Sequence, residues 1–171
     1  MADSNIDVRI VLTDNQVRDQ LQVFLQNFDF DTALRDNFAE ASAHLQRIGL
    51  DPEPILGAQP SRVAITQVRP MGSMGLEFHV MGSVSAAPDF TGRLIRGVKS
   101  LGISEIIYAD LNDQVMEIAV YYQSDKGECS YETGFDGDAD EALWEADSDG
   151  TLLDTIRELA LSNQLTMPAF D

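Results

Sequence analysis

The chain has 171 residues, and 44% of them are hydrophobic, so its size and composition suit one globular domain with a sizeable core. Eleven Lys and Arg residues stand against 29 Asp and Glu residues, which gives a formal net charge of −18. This charge repels phosphate backbones and anionic lipids, so we expect no nucleic acid and no membrane among the partners. It attracts basic proteins and metal cations, although an ordinary acidic protein or an adaptation to high salt would also explain it.

The cysteine content and the N-terminal segment predict a compartment. Cys129 is the sole cysteine, so no intrachain disulfide can form and a reducing environment is the simplest one. The first residues contain neither a basic nor an apolar segment of the secretory type, and no apolar run approaches the roughly 20 residues of a spanning helix. We expect a soluble cytoplasmic protein.

The first 30 residues predict a strand followed by a helix. Apolar residues alternate over 6–13, which is typical of a half-buried strand. Helical spacing of the following apolar residues predicts a helix from about Asp14 to Phe28. Thr13 is the expected N-cap, and Gln16 three residues later would complete a capping box.

A second helix is predicted to begin at Asp31 or Thr32 and to end before Gly49, a good residue for a left-handed C-terminal cap. The two helices would form an αα-hairpin. The prolines that follow predict a non-helical connector over 51–60, because a residue before proline is pushed out of the α region. This connector is the best candidate for an internal boundary within a single domain of residues 1–171.

The middle of the chain predicts the sheet. The apolar period changes to two, and one helix, capped by Asp89 or Thr91 and ended by Gly102, interrupts a series of strands. The predicted strands are 61–69, 76–85, 103–111, 115–123 and 128–135. This order predicts the α+β class: an antiparallel or mixed sheet of about five to six strands, with the αα-hairpin and C-terminal helices packed on one face.

The C-terminal third concentrates acidic residues, and a metal site is the first hypothesis for them. Asp136, Asp138 and Asp140 have the 1-3-5 spacing of a calcium loop. Position 6 is Glu141 instead of glycine, and position 12 is Asp147 instead of glutamate, so the motif fails. The sequence therefore predicts no metal site.

Two other hypotheses remain for the same segment. The acids could cap short helices and line a solvated face, or they could form an interaction surface around the single tryptophan. Lys126 is the only base between Gln123 and Arg157, so nothing nearby in sequence neutralises them. The predicted partner-binding residues are Asp136, Asp138, Asp140, Glu141, Trp144, Glu145, Asp147 and Asp149.

No catalytic or cofactor motif is present in the sequence. His44 and His79 lack the i, i+4 partner of a helical metal site, and we expect structural or surface roles for both. Cys129 stands between two glutamates, which would raise its pKa and make it a poor nucleophile. The glycines of 71–75 do not match a phosphate-binding loop. We therefore predict no enzyme and no cofactor.

These features favour a non-enzymatic acidic binding protein. The first hypothesis is an inhibitor of the immunity or antitoxin kind, which masks a basic effector protein. The alternatives are a mimic of nucleic-acid phosphates that blocks a DNA-binding protein, and a small-molecule-responsive or metal-responsive regulatory or assembly subunit. The sequence does not predict the oligomeric state.

Overall fold

A computed structural model of the chain describes residues 3–26, 38–57, 63–112, 117–132 and 137–162. Its strands are β1 (Asp3–Leu12), β2 (Val63–Met71), β3 (Gly75–Ser83), β4 (Ile103–Asn112), β5 (Glu117–Ser124) and β6 (Gly127–Glu132). They form a six-stranded sheet in the order β2-β3-β1-β4-β5-β6, and all the neighbouring pairs are antiparallel. The predicted α+β class and strand number are confirmed.

The described residues also form six helices: α1 (Asn15–Leu25), α2 (Phe38–Ile48), α3 (Pro52–Leu56), α4 (Ala86–Lys99), α5 (Gly137–Asp149) and α6 (Leu152–Leu161). None of these helices is long and apolar enough to cross a membrane. The predicted ends of several elements, at Phe28, Asp31 or Thr32, Ser61, Val115 and Phe135, lie outside the described residues.

The sheet is arranged around β1, which has a partner on each side. Val8 lies opposite Phe78 of β3 and opposite Tyr108 of β4. Both partners are antiparallel to β1, so β3 and β4 run in the same direction with β1 between them. Helix α4, which connects them, therefore crosses over the central strand, and its Phe90 and Leu94 belong to the same hydrophobic cluster as Val8 of β1.

Two hydrophobic clusters lie on opposite faces of the sheet. The first joins β1, β2 and β3 to α1–α4, and the second joins β4, β5 and β6 to α5 and α6. In β4, Tyr108 packs against the first cluster, while Ile107 and Ala109 belong to the second, as expected for alternating side chains. The prediction that the helices pack on one face is therefore wrong. The physical reason is that β4 is apolar on both sides and needs a cover on each.

The predicted N-terminal capping box is also wrong. Asp14 is the N-cap of α1, and its carboxylate accepts hydrogen bonds from the amides of Gln16 and Val17, at 2.8 and 3.4 Å. Thr13 instead donates its hydroxyl to the Gly102 carbonyl at 3.2 Å. A carboxylate caps a helix at least as well as a hydroxyl does, so the helix begins one residue later than expected.

The connector over 51–60, predicted to be non-helical, contains the short helix α3. Asp51 before the first proline is extended, as that position requires, and its side chain accepts a hydrogen bond from the Glu53 amide at 3.1 Å. Pro52 and Pro54 lie in the first turn, where a missing N–H has no helical partner to lose. The prolines therefore start a helix here instead of preventing one.

Helix α4 begins at Ala86, before the predicted caps Asp89 and Thr91. Pro88 lies in its first turn, and the Ala86 amide donates to the Ser83 hydroxyl at 3.0 Å. The predicted end of α2 is confirmed, since Gly49 directly follows Ile48 and has a φ of 96°. Helix α4 ends at Lys99, earlier than predicted, and Gly102, with a φ of 94°, lies in the turn that follows.

Candidate functional site

The predicted partner-binding residues fall on α5, which follows the edge strand β6 after a short segment. Asp136 lies outside the described residues, and so do the side chains of Asp138 and Asp140 in the first turn. The structure brings together on this helix the side chains of Glu141, Trp144, Glu145, Asp147 and Asp149. Since the backbone is helical from Gly137 onward, the calcium-loop conformation is not formed.

One side of α5 is buried in the second hydrophobic cluster. Leu143 is fully buried and Ala146 is buried beside it, at the i, i+3 spacing that places two residues on one helical face. Trp144 is half-buried and packs against the same cluster. Its indole therefore anchors the helix to the sheet and still leaves part of its surface accessible.

The outer side of α5 carries a row of three exposed carboxylates, Glu141, Glu145 and Asp149, which we call the acidic row. None of them makes a hydrogen bond or ion pair with another described residue. Like charges at i, i+4 destabilise a helix by roughly 0.2–0.5 kcal/mol per pair. Asp149 also lies at the negative end of the helix dipole, and the last turn contains no base. The acidic row therefore costs the isolated protein stability.

Helix α5 packs against α6, and ion pairs hold α6 against the sheet. The Arg9 guanidinium of β1 donates to the Asp154 carboxylate in the first turn of α6 at 2.7 Å. Further along α6, Arg157 forms a bidentate pair with Glu105 of β4, and one of its two hydrogen bonds is 3.0 Å long. The Tyr122 hydroxyl also donates to Glu105, at 3.1 Å. These contacts give the acidic helix a rigid support.

Arg9 also begins a ladder of charges across three strands. Its Nε donates to Glu77 of β3 at 2.7 Å, and Arg69 of β2 donates to the other Glu77 oxygen at 2.7 Å. Burial acts to lower the pKa of Arg9, but its hydrogen bonds and attraction to Asp154 and Glu77 outweigh burial and raise the pKa. A β-bulge in β2 brings Arg69 opposite Glu77, and it includes Gln67 with a φ of 55°.

A cavity of about 450 Å³ separates this ladder from the turn between α5 and α6. Asp147 of α5 lines it together with Asp7, Arg9, Arg69 and Asp154. Arg9, Arg69 and Glu77 are all engaged with one another or with Asp154. The ladder therefore serves mainly to dock α6 on the sheet. No pattern in the sequence indicates the ladder, because its residues meet only through the strand register.

A second group of acids lies on the opposite face of the sheet, and no pattern in the sequence predicts it. Asp110, Glu117 and Glu132 line a cavity of about 400 Å³ at the corner formed by β4, β5 and β6. Burial raises the pKa of Asp110 to about 6, the Glu117 charge raises it further, and a hydrogen bond from Ser4 partly opposes both. Only the strand register brings these residues together, because no local spacing connects them.

The histidines and the cysteine are placed far apart. His79 on β3 lies 2.7 Å from the Asp7 carboxylate of β1. Three strands separate β3 from β6, so His79 and Cys129 are about 19 Å apart and cannot act as a nucleophile and base. The pKa of Cys129 is raised by burial and by the Glu128 carboxylate, which confirms the expected direction. Among the described residues, no group of three or more His, Cys, Asp and Glu side chains could hold a metal ion.

Comparison of the chain with models of protein families, with curated proteins and with solved structures found no match. The class of the protein therefore follows from its own fold and charges: an α+β protein with separate acidic surfaces on the two faces of its sheet.

Proposed function

We propose that this protein is a non-enzymatic acidic binding protein, an inhibitor of the immunity or antitoxin kind that masks a basic effector protein. The observation that carries the proposal is the acidic row on α5. Glu141, Glu145 and Asp149 repel one another, oppose the helix dipole at their C-terminal end, and have no base beside them among the described residues. The arrangement adds no stability to the isolated fold, whereas a cationic partner would gain ion pairs from it.

A basic surface placed over the acidic row would supply the missing counter-charges. Lys and Arg side chains of the partner would pair with the row and offset the repulsion within the helix. The net charge of −18 extends this attraction beyond contact distance and speeds the encounter at low ionic strength. Binding through the row should therefore weaken as salt is added.

Trp144 supports the same surface with an apolar contact. It is three residues after Glu141 and directly before Glu145, so it lies at the margin of the acidic row. The part of the indole that is not packed on the second cluster is available to a partner. Tryptophan within a charged rim is a frequent anchor of protein interfaces.

The geometry favours an inhibitor over a phosphate mimic. A mimic of duplex DNA needs carboxylates in two rows, whereas three of the four exposed acids with described side chains on α5 form one row beside an aromatic residue, and only Asp147 lies outside it. A dedicated protein partner with a basic patch fits one row of carboxylates better.

The proposal is tested by reversing the row. The tagged chain is purified from its native cells, the basic protein that accompanies it is identified, and the affinity is measured by calorimetry at two salt concentrations. We expect Glu141→Lys, Glu145→Lys and Asp149→Lys together to weaken binding by a factor on the order of a hundred or more, because close interfacial charge pairs couple by about 1.5 kcal/mol or more.

A matched control separates local from global charge. Glu40→Lys, Glu53→Lys and Asp125→Lys together change the net charge by the same amount, from −18 to −12, at exposed positions away from α5. If both triple variants weaken binding equally, or if neither does, the acidic row is not the binding surface and the proposal fails.

A further inference from the structure

A second cavity adjoins the one beside the charge ladder, on the side of the turn between β2 and β3. It measures about 480 Å³, and its lining comes from β1, from that turn and from α6. Arg9, Met71 and Asp154 line both cavities, so the two lie next to each other. A volume of about 300–1,000 Å³ is usual for a small-molecule site. We call this second cavity the hairpin cavity.

The turn that forms one wall of the hairpin cavity is held in place from two sides. The Arg18 guanidinium of α1 donates to the carbonyls of Gly72 and Gly75 at 2.9 and 3.1 Å. The Leu12 amide at the end of β1 donates to the Met74 carbonyl at 2.9 Å. Because these bonds fix the backbone of the turn, a ligand enters a preformed cavity and does not have to order the turn, which lowers the cost of binding.

The wall formed by this turn is apolar. Met71 and Met74 line the cavity from the turn, and Val11 lines it from β1. Met71 is 40% exposed, so part of its side chain is open to a ligand. Methionine is unbranched and polarisable, and it therefore adapts its shape to an apolar molecule. This wall selects a ligand with an apolar part.

The opposite wall belongs to a network in which positive and negative groups balance. Arg9, Asp154 and Arg157 line it, and only 9% of the Arg9 side chain is exposed. The network contains three guanidinium groups and three carboxylates, which are Arg9, Arg69, Arg157, Glu77, Glu105 and Asp154. A charged ligand of either sign would disturb this balance, and the net charge of −18 on the whole chain also repels an anion. The wall therefore favours an uncharged ligand.

One donor of the network has no acceptor among the described residues. Arg157 uses Nε and Nη2 for its two hydrogen bonds to Glu105. Its Nη1 forms an ion pair with Asp154, whose Oδ1 is 3.7 Å away and thus beyond hydrogen-bond distance. A carbonyl oxygen is a suitable acceptor for the N–H groups of Nη1, because it adds a hydrogen bond without adding a charge.

We propose that the hairpin cavity binds an uncharged organic molecule with a carbonyl group and an apolar chain. The carbonyl oxygen accepts a hydrogen bond from Arg157 Nη1, and the chain packs against Met71 and Met74. None of the three residues of the acidic row lines the cavity, so this site is independent of the proposed binding of a basic protein.

The test uses the full chain and four small probes. Isotope-labelled protein is titrated at neutral pH with hexanamide, which has both the carbonyl group and the chain. Hexanoate carries the chain with a negative charge, hexylammonium carries it with a positive charge, and acetamide keeps the carbonyl group without the chain. We expect saturable NMR shifts at the amides of Val11, Ser73 and Gly75 with hexanamide, and binding of each other probe that is weaker by about tenfold or more.

Two variants and a matched control locate the contacts. Arg157→Lys keeps the positive charge beside Glu105 but removes Nη1, and it should weaken hexanamide binding by about tenfold, the loss of one charged hydrogen bond. Met71→Gln removes part of the apolar wall and should weaken binding by about fivefold. Leu161→Gln is the control, because Leu161 is also exposed, at 44%, and lies outside the cavity.

The proposal is overturned if hexanoate or hexylammonium binds more tightly than hexanamide, if acetamide binds equally well, or if hexanamide produces no saturable shifts at these amides. It is also overturned if Arg157→Lys binds hexanamide as tightly as the parent does, or if Met71→Gln binds it as tightly as Leu161→Gln does. Should Arg157→Lys not fold, the comparison of Met71→Gln with Leu161→Gln decides.

Discussion

The guanidinium of Arg9 donates to the carboxylate of Asp154 at 2.7 Å, across 145 residues of sequence. The contact joins the central strand of the sheet to the first turn of the last described helix. Arg9 is 7% exposed and also binds Glu77, so one buried cation is shared by two carboxylates. The support of the acidic helix therefore depends on the Arg9 charge. Removing that charge would deprive the buried carboxylate of Glu77 of a partner.

Replacing Arg9 with methionine should destabilise the fold strongly. The substitution keeps much of the side-chain volume but leaves Glu77 with fewer compensating partners, and breaking a buried pair in this way costs about 3–5 kcal/mol. Arg69→Met removes the other partner of Glu77 from a side chain that is 68% exposed, so it should cost under about 1 kcal/mol. Urea unfolding measures both values. Equal losses would show that Arg69 compensates the Glu77 charge as much as Arg9 does, and would contradict this prediction.

Gly102→Ala should destabilise the turn between α4 and β4. The φ of Gly102 is 94°, and a Cβ there would lie 2.6 Å from Thr13 Oγ1. A non-glycine residue in this backbone region costs about 1–3 kcal/mol, and the contact adds to it. Gly49→Ala is the control, because Gly49 has a φ of 96° with nothing within 4 Å of the added carbon. Thermal unfolding should show the larger loss for Gly102→Ala, and the reverse order would mean that Thr13 moves aside freely.

Asp110→Asn should stabilise the protein at neutral pH. The pKa of Asp110 is raised from 3.8 to about 6, so the folded state holds this proton more tightly than the unfolded chain. The resulting stability is present below about pH 4, is lost as the pH rises through about 6, and stays lost above. Discounted for solvent screening, the gain of the variant at pH 7 is about 1–2 kcal/mol and disappears near pH 4.

Asp154→Asn gives the opposite sign and serves as the control for that pH series. The pKa of Asp154 is lowered by its hydrogen bond to Arg9, so its contribution is present above the ordinary carboxyl pKa and is lost as the pH falls. Urea unfolding from pH 2 to 8 should therefore show Asp154→Asn losing stability relative to the parent as the pH rises to about 4, and Asp110→Asn gaining stability relative to the parent as the pH rises from about 4 to 6. A parallel response of the two variants would contradict the assignment for Asp110.

The thiol of Cys129 should react slowly with iodoacetamide in the folded protein. Burial and the Glu128 carboxylate raise its pKa, which lowers the thiolate fraction at neutral pH. We expect a rate on the order of tenfold below that of the same thiol in the urea-unfolded chain. Glu128→Gln should recover a small part of the difference, since burial is the larger cause. An equal rate in the folded and unfolded states would rule out the burial of the thiol.

The local periodicity of the sequence was enough to predict the strands and the longer helices but not the short helix α3, and the starts and faces of the elements depended on single contacts. Alternation at Val8, Ile10 and Leu12 gave β1 correctly. The start of α1 depends on whether Thr13 or Asp14 accepts the first amides, and both residue types are good caps. In β4, Ile106 and Ile107 are both buried, so the sequence carries no alternation from which to infer that helices cover both faces.

The two acidic surfaces differ in how far the sequence could predict them. Glu141, Glu145 and Asp149 are spaced by four, so any helix through them places them in a row. Asp110 and Glu132 meet only because β5 lies between their strands in one particular register. A shift of one residue would turn either carboxylate to the other face, and nothing in the composition of the strands specifies that register.

The central place of β1 has a consequence for biosynthesis. It is the first of the described strands to leave the ribosome, yet its two neighbours begin only at Gly75 and Ile103. Until those segments have emerged, a nascent strand rich in isoleucine and valine has both of its edges bare, which is the condition under which chains aggregate. The strand that organises the finished sheet thus stays unpaired until segments far beyond it in the chain have been made, and closure of such long loops makes for slow folding.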